Sequence, residues 1–131
     1  MKKLSVVLAT FNEEKNLRRC LDSVKDIASE IVIVDGTSKD KTVEIARSYG
    51  AKVTVTTNPP IFHINKQKAI DKATGDWILQ LDADEVVSSE LASEIKEIME
   101  KNEQANGYWL PRKNFFLGRF LMKGGHNPTN T

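Results

Sequence analysis

A chain of 131 residues with 40% hydrophobic and 28% charged side chains can bury a core of its own, and 19 basic against 18 acidic residues exclude a disordered polyelectrolyte and a nucleic-acid binder relying on bulk charge. That length suits one compact domain but is short for an enzyme that must hold two substrates. Cys20 is the single cysteine, which excludes an intrachain disulfide and suits a reducing cytoplasm, and no apolar run approaches the roughly 20 residues needed to span a bilayer, so any membrane contact is peripheral.

The N-terminus has the charged start of a signal peptide, but its apolar run is interrupted by Ser5 and Thr10 and meets Asn12-Glu13-Glu14 at once, so Leu4 to Thr10 reads as a buried first strand. Asn12 is placed to cap a helix with Glu13 and Glu14 in its first turn and Leu17, Cys20, Leu21, Val24 and Ala28 along one face. Ile31 to Val34 forms a second strand ending at Asp35-Gly36. Ser38 or Asp40 then caps a second helix carrying Val43, Ile45 and Ala46, closed by Gly50. Lys52 to Thr56 is β-branched and predicts a third strand before Asn58-Pro59-Pro60. A third helix covers Ile64 to Ala73 and stops at Gly75, and Trp77 to Leu81 is a fourth strand. Ser88 or Ser89 caps a fourth helix with Leu91, Ile95, Ile98 and Met99 inward. Gly107 to Leu110 is one further strand, and no periodicity is visible beyond Leu121. Strands and helices alternating four times with short loops predict an α/β fold: a mostly parallel sheet with helices on both faces.

In such sheets ligands bind beyond the carboxyl ends of the strands, where this chain places Thr10, Asn12 and Glu13, then Asp35 to Asp40, then Thr57 and Asn58, then Asp82 to Glu85. Asp82-Ala83-Asp84 is the sharpest of these. Residues i and i+2 of an extended segment point the same way, so two carboxylates are brought together while Ala83 faces away. Their repulsion is relieved by Mg²⁺ or Mn²⁺, which takes one or two protein carboxylates and fills its octahedron with phosphate oxygens and water. The competing reading is a solvated acidic turn. A dinucleotide fingerprint, a phosphate-binding P-loop and a nucleophile elbow are all absent, and His63 and His126 lack partners at zinc-ligand spacing.

Three segments, Val6-Val7-Leu8-Ala9-Thr10-Phe11-Asn12-Glu13, Ile31 to Thr42, and Ala73 to Asp84, resemble the successive motifs of family 2 glycosyltransferases, in the same order and at matching separations. The likeness spans residues 3–90. The run through Trp77 and Phe115-Phe116-Leu117-Gly118-Arg119 is most similar to bacterial lipopolysaccharide-core glucosyltransferases. The resemblance implies a Rossmann-like GT-A half-domain that binds a nucleotide-diphosphate sugar, most often a UDP-sugar, for inverting transfer to a glycan or lipid-linked hydroxyl. It implies that Thr10, Asn12 and Glu13 meet the nucleoside, that Asp35 accepts a hydrogen bond from the base, and that Lys66 lies near the phosphates, although Gln67 stands where the family more often has Asn. Asp82 then holds ribose or metal, and Asp84 is the more direct metal ligand.

Inverting transfer needs a general base, which in the family is an acidic residue well beyond the metal motif. No Asp or Glu follows Glu103 here, and Glu85, Glu90 and Glu94 read as helix-start charges. The sequence therefore predicts a donor-binding domain over residues 1–111. Residues 112–131 form a basic, aromatic tail that begins an acceptor-side region cut short. The alternative is a nucleotide-sugar-binding or scaffold module without turnover. Two readings compete for Lys113 to Lys123: contact with an anionic membrane at its inner face, or a core segment whose exposed apolar residues drive self-association.

Overall fold

The structure, a computed structural model, describes residues 3–57, 62–101, 107–112 and 115–123, with side chains described for 3–57 and 63–100. Strands β1 (Leu4–Thr10), β2 (Glu30–Asp35), β3 (Lys52–Val55) and β4 (Trp77–Leu81) alternate with helices α1 (Leu17–Val24), α2 (Thr42–Ser48), α3 (Phe62–Lys72) and α4 (Ser89–Lys101). Strands β5 (Gly107–Arg112) and β6 (Phe115–Lys123) follow. All six strands form one sheet in the order β3-β2-β1-β4-β6-β5, and the first four are parallel.

Strict alternation of strand residues between faces explains how one sheet supports two cores. Leu4, Val6 and Leu8 of β1, with Ile31, Ile33, Trp77, Leu79 and Leu81, pack under α1, α2 and α4. The opposite face of the same strands, Val7, Val32, Val34 and Ile78, packs under Ala69 of α3. Both faces are thus covered, as the apolar runs predict. Helix α1 buries Leu17, Cys20, Leu21 and Val24, spaced i, i+3, i+4, i+7.

Several boundaries differ from the sequence expectation. Asn12 does not cap α1: it sits at φ +54°, and the chain makes a turn in which the backbone N–H groups of Asn16 and Leu17 both donate to the Glu13 carbonyl before the helix starts. Asp40, rather than Ser38, accepts from the Thr42 N–H at 2.9 Å at the start of α2. Gly50, at φ +74°, closes that helix as predicted, its N–H reaching the Arg47 carbonyl. Helix α3 ends at Lys72, so Gly75 is not its stop signal. The segment after residue 114 is also a strand. Backbone pairing of β6 is antiparallel to both β4 and β5, with Ile78 opposite Met122 and Trp109 opposite Phe120. The β5–β6 register shifts between Leu110 and Arg112, at Pro111, which has no N–H to offer the ladder.

The amino end of the sheet is tied by one carboxylate. Glu30 accepts hydrogen bonds from the Ser5 hydroxyl, from the Lys52 ammonium at 2.8 Å, and from the Thr74 N–H and hydroxyl at 2.6 and 3.0 Å. Burial alone raises its pKa, but these donors outweigh it and hold the group at about 2, below the ordinary 4.5. A depressed carboxylate stabilises the fold above its unfolded pKa, and that contribution disappears as the pH falls from 4.5 towards 2. Glu30→Gln is accordingly expected to lower unfolding free energy at neutral pH by about 2–3 kcal/mol and to flatten the acid limb of stability. Urea midpoints measured from pH 7 to pH 2 check both effects.

Candidate functional site

Strand order runs outward from β1 through β2 to β3 on one side and to β4 on the other, so the order of strand addition reverses between the parallel strands β1 and β4. The carboxyl ends of these two strands form the crevice where open α/β sheets bind ligands. Register places Thr10 opposite Asp35, and Leu8 opposite Leu81, so Thr10, Asp35 and Asp82 emerge at the same edge.

On the β1–β2 side the loops are joined through side chains. Thr10 donates its hydroxyl proton to Asp35 Oδ1 at 2.8 Å, and both residues are fully buried. Ser38 donates its N–H to Asp35 Oδ2 at 2.7 Å and its hydroxyl to Oδ1 at 2.6 Å. Asn12 donates its N–H to Ser38 Oγ at 2.7 Å and accepts from the Lys39 N–H at 2.8 Å. Glu13 donates its N–H to Thr42 Oγ1 at 2.7 Å. Thr37, at φ +69°, is held in a left-handed conformation rarely adopted by a β-branched residue, its hydroxyl on the Thr56 carbonyl. Asp35 thus organises the loop that follows it; the Asp-x-x-Ser spacing is the sequence signal that points to this arrangement.

On the β4 side Asp82-Ala83-Asp84-Glu85 forms a tight turn. Ala83 is buried, while Asp82 is half-buried and Asp84 exposed. Lys66 of α3 lies 3.1 Å from Asp82 Oδ1, and Gln80 Nε2 approaches the same oxygen at 3.4 Å. Gln67 donates to Asp71 on its own helix at 2.9 Å. Asn65, one residue before Lys66, is buried with its Oδ1 3.5 Å from Thr56 Oγ1, and its Nδ2 has no hydrogen-bond partner among the described residues. Nothing in the local sequence distinguishes Asn65 from an ordinary surface residue of the helix.

Negative charge accumulates here. Burial pushes the Glu13 carboxyl up, and the charges of Asp84, Asp82 and Asp40 push it further. Burial likewise raises the Cys20 thiol to about 12, with Glu85, Asp84, Asp82 and Glu13 adding to it. Cys20 is therefore a neutral core thiol whose Sγ lies 3.7 Å from the Asp82 carbonyl. Among the described residues no three His, Cys, Asp or Glu side chains form a metal cage of their own. The donor set fits a hard divalent ion only with outside oxygens: two carboxylates on one turn, the rest of the shell open.

Together the fold and this edge define a doubly wound α/β domain of GT-A type, with an acidic turn at its topological switch point. The chain belongs to glycosyl transferase family 2, which it matches over residues 5–127. It is 41% identical over 105 residues to an uncharacterised glycosyltransferase of Rickettsia typhi, an alignment covering 79% of this chain and 35% of that protein. This chain therefore spans about a third of that relative. Among solved structures it resembles Staphylococcus aureus TarS, with a TM-score of 0.72 at 21% identity over 92% of this chain and 47% of the other. The same protein in complex with UDP gives 0.67 at 24% identity, over 84% and 38%. A Pyrobaculum calidifontis mannosyltransferase in complex with GDP-Man and Mn²⁺ gives 0.71 at 18% identity, over 93% and 44%. Among the described residues no helix is long and apolar enough to cross a membrane.

Proposed function

We propose that this domain binds a nucleotide-diphosphate sugar, with a UDP-sugar as the first candidate, and holds Mg²⁺ or Mn²⁺ on Asp82 and Asp84 against the diphosphate. The observation that carries this reading is the two-carboxylate turn at the switch point, with the Lys66 ammonium 3.1 Å from Asp82 Oδ1. Complexes of similar folds with UDP and with GDP-Man and Mn²⁺ support it. On this reading the loops bearing Thr10, Asn12, Glu13 and Asp35 cradle the nucleoside, and Lys66 and the metal turn flank the phosphates. The bound ion supplies charge neutralisation for the departing diphosphate. The protein's own part is to orient the donor, with Lys66 offering a further positive charge.

The finer assignment is inverting sugar transfer to a hydroxyl acceptor in cell-envelope glycan or lipopolysaccharide synthesis, at the inner face of the membrane. It rests on the likeness of the Trp77 and Phe115 to Arg119 segments to lipopolysaccharide-core enzymes and on the basic, aromatic character of residues 113–123, whose side chains lie outside the described residues. Calorimetric titration of the chain with UDP and GDP, in Mn²⁺ and in EDTA, tests the core of the reading. UDP is expected to bind at least about tenfold more tightly with Mn²⁺ than without it. Equal affinity in both would remove the metal assignment, and no binding of either nucleotide would remove the nucleotide site.

A further inference from the structure

Glu85 follows the two carboxylates directly and is, at 8% exposure, far more buried than the helix-start charge its position in the sequence suggests. Its Oε1 accepts the Asp82 backbone N–H at 2.6 Å, and its own N–H donates to the Asp82 carbonyl at 3.0 Å. These reciprocal bonds close the Asp82-to-Glu85 turn. Helix α1 holds the turn from beneath: the Cys20 thiol meets the Asp82 carbonyl at 3.7 Å, and Ser23 Oγ accepts the Val87 N–H at 3.0 Å.

Placing a third carboxylate beside two others is electrostatically unfavourable, and a turn that needed only closing could use Ser or Asn. A carboxylate there is explained if the turn's shape matters more than its charge, and if a cation offsets the total. We propose that Glu85 is a positioning residue: by holding the Asp82 backbone N–H it fixes the relative placement of the Asp82 and Asp84 carboxylates for a divalent cation. This rests on the reading of Asp82 and Asp84 as cation ligands.

Two variants separate reach from charge. Glu85→Gln keeps an oxygen acceptor of the same length and loses the charge, whereas Glu85→Asp keeps the charge and shortens the arm by one methylene. UDP titrations in Mn²⁺ and in EDTA, with wild type alongside, read the metal-dependent gain in affinity. Asp82 amide hydrogen exchange reports on the bond itself. Glu85→Gln is expected to retain the gain within about threefold and to keep the Asp82 amide protected, while Glu85→Asp loses about tenfold of it and exchanges faster. Affinity in EDTA is expected to stay level across all three proteins, which a general loss of structure would not allow. The reverse ranking, or an unchanged gain in Glu85→Asp, would overturn the proposal. A wild type without any metal-dependent gain would instead sink the underlying cation reading, and Glu85 would lose its role with it.

Discussion

Asp84→Ala is expected to remove the Mn²⁺-dependent part of nucleotide affinity, a loss of about 10- to 100-fold, while leaving thermal stability nearly unchanged. The two halves of that expectation come from different facts. Asp84 is exposed, so truncating it opens no cavity and leaves no buried group unpaired. In the proposed site its carboxylate is half of the donor pair, and a hard cation left with one protein carboxylate must replace the other with water. Asp82→Ala is a less clean experiment, because it also strips Lys66 of its partner at 3.1 Å. Titration in Mn²⁺ and EDTA beside a melting curve checks both halves; a variant that keeps the wild-type gain would dismiss Asp84 as a ligand.

Gly75→Ala is expected to destabilise the fold by about 2–4 kcal/mol. A Cβ at Gly75 would stand 2.6 Å from Ser5 Oγ, 2.9 Å from the Lys3 carbonyl and 2.9 Å from the Ser5 N. Two of those atoms are backbone of β1 and its approach, and cannot turn aside. The third is the hydroxyl that accepts the Gly75 N–H at 2.8 Å and donates to Glu30, so the methyl group would also break a buried chain of hydrogen bonds. Gly50→Ala is the control. It has nothing within 4 Å of the new Cβ but keeps φ +74°, so it carries only the left-handed backbone penalty of about 1 kcal/mol. Chemical unfolding of both variants should show Gly75→Ala as clearly the worse; comparable losses would mean that β1 yields more readily than its packing suggests.

The parallel half of the fold is legible in the sequence because β1, β2 and β4 are short apolar runs, β3 is β-branched, and α1, α2 and α4 carry apolar residues at helical spacing. Strand β6 is not, since its place between β4 and β5 depends on pairing with residues more than forty positions upstream, which no local period records. The start of α1 is obscured for a related reason: Asn12 looks like a cap, but its side chain accepts from the Lys39 N–H and its own N–H donates to Ser38, both of a different loop. At the site, the i, i+2 spacing makes Asp82 and Asp84 readable as a pair, but residues 82–85 form a turn rather than the extended segment which that spacing assumes. Asp35 looks like a free acceptor from sequence, yet Thr10 and Ser38 already engage both its oxygens. The backward reach of Glu85 to Asp82 depends on a rotamer, and the Lys66 pairing on how α3 lies across the sheet, so neither is encoded in a motif.

The joined loops after β1 and β2 bear on how such a domain can diversify. Side chains of each loop satisfy backbone groups of the other: Asn12 serves Lys39, Glu14 serves Lys41, and Thr42, Ser38 and Asp40 serve Glu13, Asn12 and Glu14. The two loops are coupled, because a substitution in one removes the side-chain partner of an amide in the other. In related chains these positions should therefore change as pairs some 26 to 29 residues apart, whereas the acidic turn after β4, tied to itself, to α1 and to Lys66 of α3, should follow a separate pattern.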